Sequence, residues 1–480
     1  MNDGPFDTDV LIVGAGLSGI GAAYRLHEER PGDSYVILEQ REAIGGTWDL
    51  FRYPGVRSDS DMFTLSYPFR PWRGEKSMAD GDAIRTYIRD TAREAGIERN
   101  IRFGTTVRSA AWSSETQRWT VETSSGQWHA KFVYLCAGYY SYDRGYQPEF
   151  PGLADYAGTF VHPQAWPADL DHTGKQVVVI GSGATAVTLV PAMAEQAAHV
   201  TMLQRSPSYL TALPAKDGFA DAVRRRLPAG LAHRIVRAKN VAVTQAFYQL
   251  ARRRPALVKK MLRAGALHFL NEKAVDEHFT PAYEPWDQRL CVVPGGDFYQ
   301  AVRDGHASVV TDHIDTFTEK GIRLRSGREL EADVVVSATG LRMLPLGGLT
   351  LSVDGRQVAL GDTFSYRGLM LSGVPNLAYC IGYTNASWTL RADLSSRYVT
   401  RLLTYLERNG YGSAAPTAPA SAERRPLLDL TSGYVQRSMK DFPSQGTRRP
   451  WQVTQNYVSD ALTMSRADLT RDMTFTGKAA

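Results

Sequence analysis

The sequence predicts an α/β fold made of two parallel-sheet units, and three observations carry that prediction. First, the buried strand Val10-Leu11-Ile12-Val13 runs straight into the glycine-rich turn Gly14-Ala15-Gly16-Leu17-Ser18-Gly19. A helical stretch over 20–29 and a second strand over 34–39 follow. Second, the same unit recurs: strand 176–180, turn Gly181-Ser182-Gly183-Ala184-Thr185-Ala186, helix 186–195, strand 199–204. Third, the two units end differently, on Glu39 in one and on Gln204-Arg205 in the other.

Each element has a physical reason. A strand, a glycine turn and a helix in this order place backbone N–H groups and a positive helix end where a pyrophosphate can sit. Gly14 permits the tight turn, Gly16 lets backbone approach the phosphates, and Gly19 lets the helix lie close on its strand. Ser18 lies among the contacts of this turn. Ala186 in place of the third glycine suits an NADP site. Glu39 is placed to accept a hydrogen bond from a free ribose 2′-hydroxyl, whereas Arg205 with Ser206 suits a 2′-phosphate. The expectation is therefore two Rossmann-like dinucleotide-binding domains, with FAD (or NAD) in the first and NADPH in the second.

The order of segments along the chain gives a domain plan. Residues 1–145 and 341–480 are expected to form the FAD-binding domain. Residues 146–215 and 285–340 should form the NADPH-binding domain, with a helical insertion over 216–284. A hairpin-rich stretch over 308–330 leads into the buried strand of Ala332 to Gly340, and the Ala/Pro-rich run 414–422 reads as a surface loop. Within the insertion, residues 221–275 carry thirteen Lys and Arg against two acidic residues. That run reads as a solvated helical lid, or as a basic amphipathic surface for peripheral contact with an anionic membrane.

Composition narrows the classes. A chain of 480 residues with 43% hydrophobic and 22% charged residues reads as globular, and a net charge of +5 does not argue for nucleic acid. The cysteines, Cys136, Cys291 and Cys380, lie far apart in apolar contexts and form no Cys-x-x-Cys pair. They read as buried thiols, against a disulfide reductase. The ten histidines show no metal-binding spacing, so no metal is expected. The acidic N-terminal residues carry no apolar segment, and no run of about eighteen apolar residues occurs. The expected location is cytoplasmic, with peripheral membrane attachment through the basic run as the alternative.

Between the two turns lies Tyr156-Ala157-Gly158-Thr159-Phe160-Val161-His162-Pro163-Gln164-Ala165-Trp166-Pro167. This resembles the fingerprint of Baeyer–Villiger monooxygenases, with Tyr156 in place of the usual phenylalanine before Gly158, His162, Trp166 and Pro167. Gly45-Gly46-Thr47-Trp48, Arg52-Tyr53-Pro54-Gly55, Trp286-Asp287-Gln288-Arg289, Ala338-Thr339-Gly340 and Gly382 to Trp388 are similar to the same family, most of all its ethionamide-activating bacterial branch. The resemblance implies a flavoprotein that uses NADPH and O₂ and inserts oxygen beside a ketone carbonyl through a C4a-peroxyflavin, giving an ester or lactone, with sulfide and thiocarbonyl oxidation as a side activity. It implies that Gly46, Thr47, Trp48, Asp59 and Val107 touch the flavin dinucleotide and that Arg57 and Arg289 touch NADP. Arg289 is then the active-site arginine and Asp59 the carboxylate that orients it. His162 reads as a packed linker residue, and Trp388 as the start of a helix near the flavin. Many relatives place a lysine before that arginine, where this chain has Gln288. Two other readings share the nucleotide folds: an N- or S-oxygenating flavin monooxygenase, and an NADPH oxidase that oxygenates nothing.

Overall fold

The computed structural model describes residues 6–428 and 430–479. Strand Phe6–Val13 is the centre of the first sheet, because its apolar residues are covered on both faces. It runs parallel to Tyr35–Leu38 on one side and to Gly126–Leu135 on the other, and Leu377–Tyr379 continues the parallel set beyond Gly126–Leu135. An antiparallel extension, Val107–Ser113 with Arg118–Thr123, joins Gly126–Leu135. This sheet has eleven strands among the described residues, drawn from both ends of the chain. Helix Leu17–Glu29 covers one face and is crossed by the later helix Trp388–Arg408, to which Arg25 is tied by a 2.7 Å ion pair with Asp393.

The second sheet is wholly parallel. Its order is Ala307–Thr311, His199–Gln204, Gln176–Ile180, Val334–Ser337, Thr159–Val161. Its central strands Gln176–Ile180 and Val334–Ser337 are near-continuous runs of valine and isoleucine, as expected where both faces are packed. Helix Ala184–Ala194 follows its glycine turn. Helices Gly218–Arg226, Ala229–Arg253, Pro255–Leu267 and Glu272–His278 fill the stretch before strand Cys291–Pro294, which pairs in parallel with Leu210–Leu213.

Two local expectations are corrected. The run from Ala414 is not all surface loop: Tyr411–Pro416 is a strand paired with Met473–Gly477, and Ala414 is fully buried. Alanines with a proline at the end carry no period-two signal, so only the partner strand reveals this one. The stretch 308–330 is not all hairpin either, since Ala307–Thr311 joins the parallel sheet and the antiparallel strands begin at Ile314.

Candidate active site

The parallel register decides where a site can form. Val13 stands opposite Leu38 and Leu135, and Leu135 opposite Tyr379, so Gly14, Glu39, Cys136 and Cys380 leave the sheet side by side. This carboxyl edge opens into a cavity of about 770 Å³, lined among others by Gly14, Gly16, Ser18, Glu39, Gly46, Thr47, Trp48 and Val107. Arg57, Asp59, Ala184, Arg289 and Trp388 line it as well. A crevice outside strand carboxyl ends is where α/β sheets bind ligands.

The glycine turn is shaped for close approach. Gly14 has φ +102°, and a Cβ there would stand 2.9 Å from the Cys136 carbonyl oxygen. A Cβ on Gly19 would collide with the Gly14 carbonyl at 1.8 Å, so the helix lies tight on the turn. Gly46, with φ +56°, faces Gly16 so closely that a Cβ would lie 3.0 Å from its Cα. Ser18 Oγ accepts a 2.7 Å hydrogen bond from the Trp388 indole, which fixes the start of helix Trp388–Arg408 against the cavity. Trp388 thus packs and lines at once.

Glu39 is buried, and both its carboxylate oxygens accept backbone hydrogen bonds, from Ala15 at 2.7 Å and Arg41 at 2.9 Å. Burial pushes its carboxyl above the usual range, against the pull of those two donors and of the Arg41 charge. The carboxylate is thereby fixed at the cavity wall. A glycine cradle, a helix start and a carboxylate held this way fit a dinucleotide with a free ribose hydroxyl.

Asp59 and Arg289 meet in the cavity through two contacts of 3.2 Å, one from Nη2 and one from Nε. The Asp59 charge raises the Arg289 guanidinium well above its ordinary value, with burial opposing. The hydroxyls of Tyr139 and Tyr140 lie 3.2 Å apart, and the phenols of Tyr139, Tyr140 and Tyr434 are close enough to add to the same effect. None of these tyrosines carries a motif, so sequence reading passed them over.

A second ion pair joins the same two segments in the opposite sense. Arg57 pairs in bidentate fashion with Asp297, two residues before Asp59 on one side and eight beyond Arg289 on the other. Gly295 and Gly296, both left-handed with φ +64° and +75°, turn the chain back between Arg289 and Asp297. Arg57 therefore lines the cavity already engaged by a carboxylate. Asp297 gave no signal in the sequence.

The second glycine turn has the same design. Gly181 has φ +131°, and a Cβ there would meet the Ala338 carbonyl oxygen at 2.4 Å, whereas Gly183 looks onto open space. Ser182 Oγ bonds Ser208 Oγ at 2.7 Å, and Ala186 is buried against its strand. Thr185 meets the Tyr53 hydroxyl, which burial pushes up to about 12. Arg205 and Ser206 are exposed at the end of His199–Gln204, and Arg205 makes no ion pair among the described residues. That leaves a free guanidinium beside a helix start.

The fingerprint region holds the link between the sheets. Tyr156 donates to the Ala332 carbonyl at 2.9 Å, and a Cβ on Gly158 would lie 2.8 Å from the Asp333 carbonyl oxygen. The His162 ring packs on Gly145, where a Cβ would lie 1.9 Å away, and its Nδ1 accepts from the Gln164 backbone at 3.2 Å. Trp166 packs against the second sheet's core, with Pro167 beside it at intermediate exposure. All three cysteines are buried and free, as the sequence reading expected, and Cys136 and Cys380, distant in sequence, follow paired strand ends and touch.

A glycine cradle that lines the cavity, a second one that reaches it through Ala184, and a carboxylate-oriented guanidinium inside it define a flavin-type nucleotide oxidoreductase. Comparison with known proteins agrees. A family model described as pyridine nucleotide-disulphide oxidoreductase matches residues 11–246. FAD-containing monooxygenase EthA of Mycobacterium tuberculosis is 52% identical over 468 residues, 96% of each chain. The probable FAD-binding monooxygenase AlmA of Acinetobacter baylyi is 46% identical, over 96% of this chain and 94% of its own. A steroid monooxygenase bound to NADP superposes with TM-score 0.78 over 98% of this chain and 100% of its own, at 23% identity, and cyclohexanone monooxygenase with 0.77 over the same shares, at 21%. The chain belongs to the family of FAD-containing monooxygenases that includes EthA and AlmA.

Proposed function

We propose that the chain is an NADPH- and O₂-dependent flavin monooxygenase that inserts oxygen beside a ketone carbonyl, with oxidation of sulfides and thiocarbonyl compounds as a side activity. The observation that carries this reading is the Asp59–Arg289 pair inside the cavity between the two glycine turns. FAD, when bound, supplies the redox chemistry that no amino-acid side chain provides.

The chain's own residues position and stabilise. The turn Gly14 to Gly19 and the helix behind it take the flavin pyrophosphate, Glu39 takes the ribose, and Gly46, Thr47, Trp48 and Val107 close the walls. The turn Gly181 to Ala186, with Arg205 and Ser206, takes NADPH and its 2′-phosphate, with a forked contact from the guanidinium. Arg289 presents donors to negative charge that develops on the reacting oxygen, while Asp59 holds it in place and keeps it charged. One such preorganised donor is worth roughly 2.7–4 kcal/mol, about 10²–10³ in rate.

The test is incubation of the holoprotein with NADPH, O₂ and a panel of ketones, sulfides and amines, with products read by mass spectrometry. Esters or lactones from ketones are expected. Tight FAD binding with no ester from any ketone, but clean oxygenation of amines, overturns the assignment.

A further inference from the structure

The helices between Gly218 and Leu267 make up roughly a tenth of the chain, yet they carry six of the eleven exposed large hydrophobics among the described residues. On helix Ala229–Arg253 these are Leu231, Ile235 and Val243 at 47%, 37% and 58% exposure, spaced within about 120° of one helix face. Ala238, Ala242 and Ala246 are exposed on the same helix, and its opposite face buries His233, Arg237 and Asn240. Phe219 lies beside this stripe under the Lys239 ammonium, 5.3 Å from its ring centre. Helix Pro255–Leu267 repeats the pattern with Leu257 and Met261, one turn apart and each 49% exposed. Chains that stand alone in water do not usually gather apolar side chains in this way.

The charges around these faces identify the partner. Of the thirteen basic residues in 221–275, six are engaged inside the chain. Arg224 and Arg237 donate to backbone carbonyls, and Lys239, Arg252, Lys259 and Arg263 pair with carboxylates. The remaining seven, among them Arg234, Arg253, Arg254 and Lys260, make no ion pair among the described residues. The two acidic residues of the stretch are Asp221 and Glu272, and Glu272 is paired with Arg263. An apolar face edged by unpaired cations is not complementary to a second copy of itself, because symmetric pairing would set cation against cation. It is complementary to a bilayer surface with anionic headgroups, where apolar side chains enter the acyl boundary and each cation near the surface gains about fivefold in affinity.

We propose that helices Ala229–Arg253 and Pro255–Leu267 form a docking face for an anionic membrane surface. This inference does not rest on the reaction assigned above. The test is sedimentation of the FAD-loaded protein with vesicles of phosphatidylcholine alone and of phosphatidylcholine with phosphatidylglycerol. Binding is expected to the anionic vesicles, to weaken with added salt, and to fall at least about tenfold in Ile235→Glu/Val243→Glu and in Leu257→Glu/Met261→Glu. Both variants should keep the wild-type flavin spectrum, and a variant that loses flavin is replaced by the milder Ser substitutions. Equal sedimentation with both vesicle types, or anionic binding unchanged in both double variants, overturns the proposal. So does a concentration-dependent dimer, seen by analytical ultracentrifugation, that these substitutions abolish.

Discussion

In the reaction proposed above, Arg289 is the residue on which the chemistry turns, and its partner explains why. A guanidinium facing a cavity would drift between orientations, but two contacts to Asp59 hold it while leaving donors free. Replacing Arg289 by Ala is expected to lower oxygenation by about 10²–10³ while FAD stays bound, as read by product formation against flavin content. Arg205 acts by a different rule. It is exposed and unengaged, so Arg205→Ala should leave NADH kinetics alone and raise the Michaelis constant for NADPH by about ten- to a hundredfold, the value of a charge-assisted hydrogen bond. An unchanged NADPH to NADH ratio removes it from the phosphate contact. Both residues are assigned from the sequence, one by its motif and the other by its place at the end of a recognisable strand. Asp297 and the tyrosines around Arg289 are not, because they meet Arg57 and Arg289 through tertiary contacts that no local spacing encodes.

Among elements, the segments around Asp59 and Arg289 are bound twice, by ion pairs of opposite sense. Arg57, Asp59 and Arg289 all line the cavity, and the Arg57–Asp297 pair braces the segment that carries Asp59. Asp297→Asn should therefore leave flavin content unchanged and raise the share of NADPH consumed without product, measured as peroxide release. The neighbouring Gly55, with φ +73°, packs so closely on helix Ala184–Ala194 that a Cβ would lie 2.7 Å from Ala192. The loop that carries Asp59 is thus seated directly on the second sheet's helix. The helical stretch has its own pH signature. His233 is buried and lines a small cavity with Phe63, Trp72 and Val236, and burial with the nearby charge of Arg237 pushes its imidazole down from 6.5 to about 4. The unfolded chain then binds the proton more readily, so this contribution is complete above 6.5 and is lost as the pH falls towards 4. Substituting His233 by Leu should flatten the fall in unfolding free energy over that window, as followed by denaturant titration.

At the scale of the molecule, the two parallel units were readable because each begins with a strand, a glycine turn and a helix in unbroken order. The strands Gln176–Ile180 and His199–Gln204 fall where their apolar runs place them. The domain plan joined the two ends of the chain, but the sequence left open which strands make the join. Leu377–Tyr379 completes the first sheet from the far end of the chain, and three residues carry too little pattern to announce it. The strand at Tyr411 was hidden because its alanines carry no period-two signal. A molecule whose first sheet is built around a ligand cradle should also gain stability from its ligand. At a free FAD concentration a hundredfold above its dissociation constant, the folded state gains about 2.7 kcal/mol. Apoprotein should therefore melt below holoprotein, and the gap should widen with added FAD.

The placement of the thiols offers a way to watch the fold open. Cys136 lines the dinucleotide cavity, whereas Cys380 and Cys291, as deeply buried, are not among its lining residues. A small alkylating reagent should label Cys136 first when flavin is stripped out and reach the other two only when the sheets come apart. Three residues of one type would then time two separate events, cofactor departure and global unfolding.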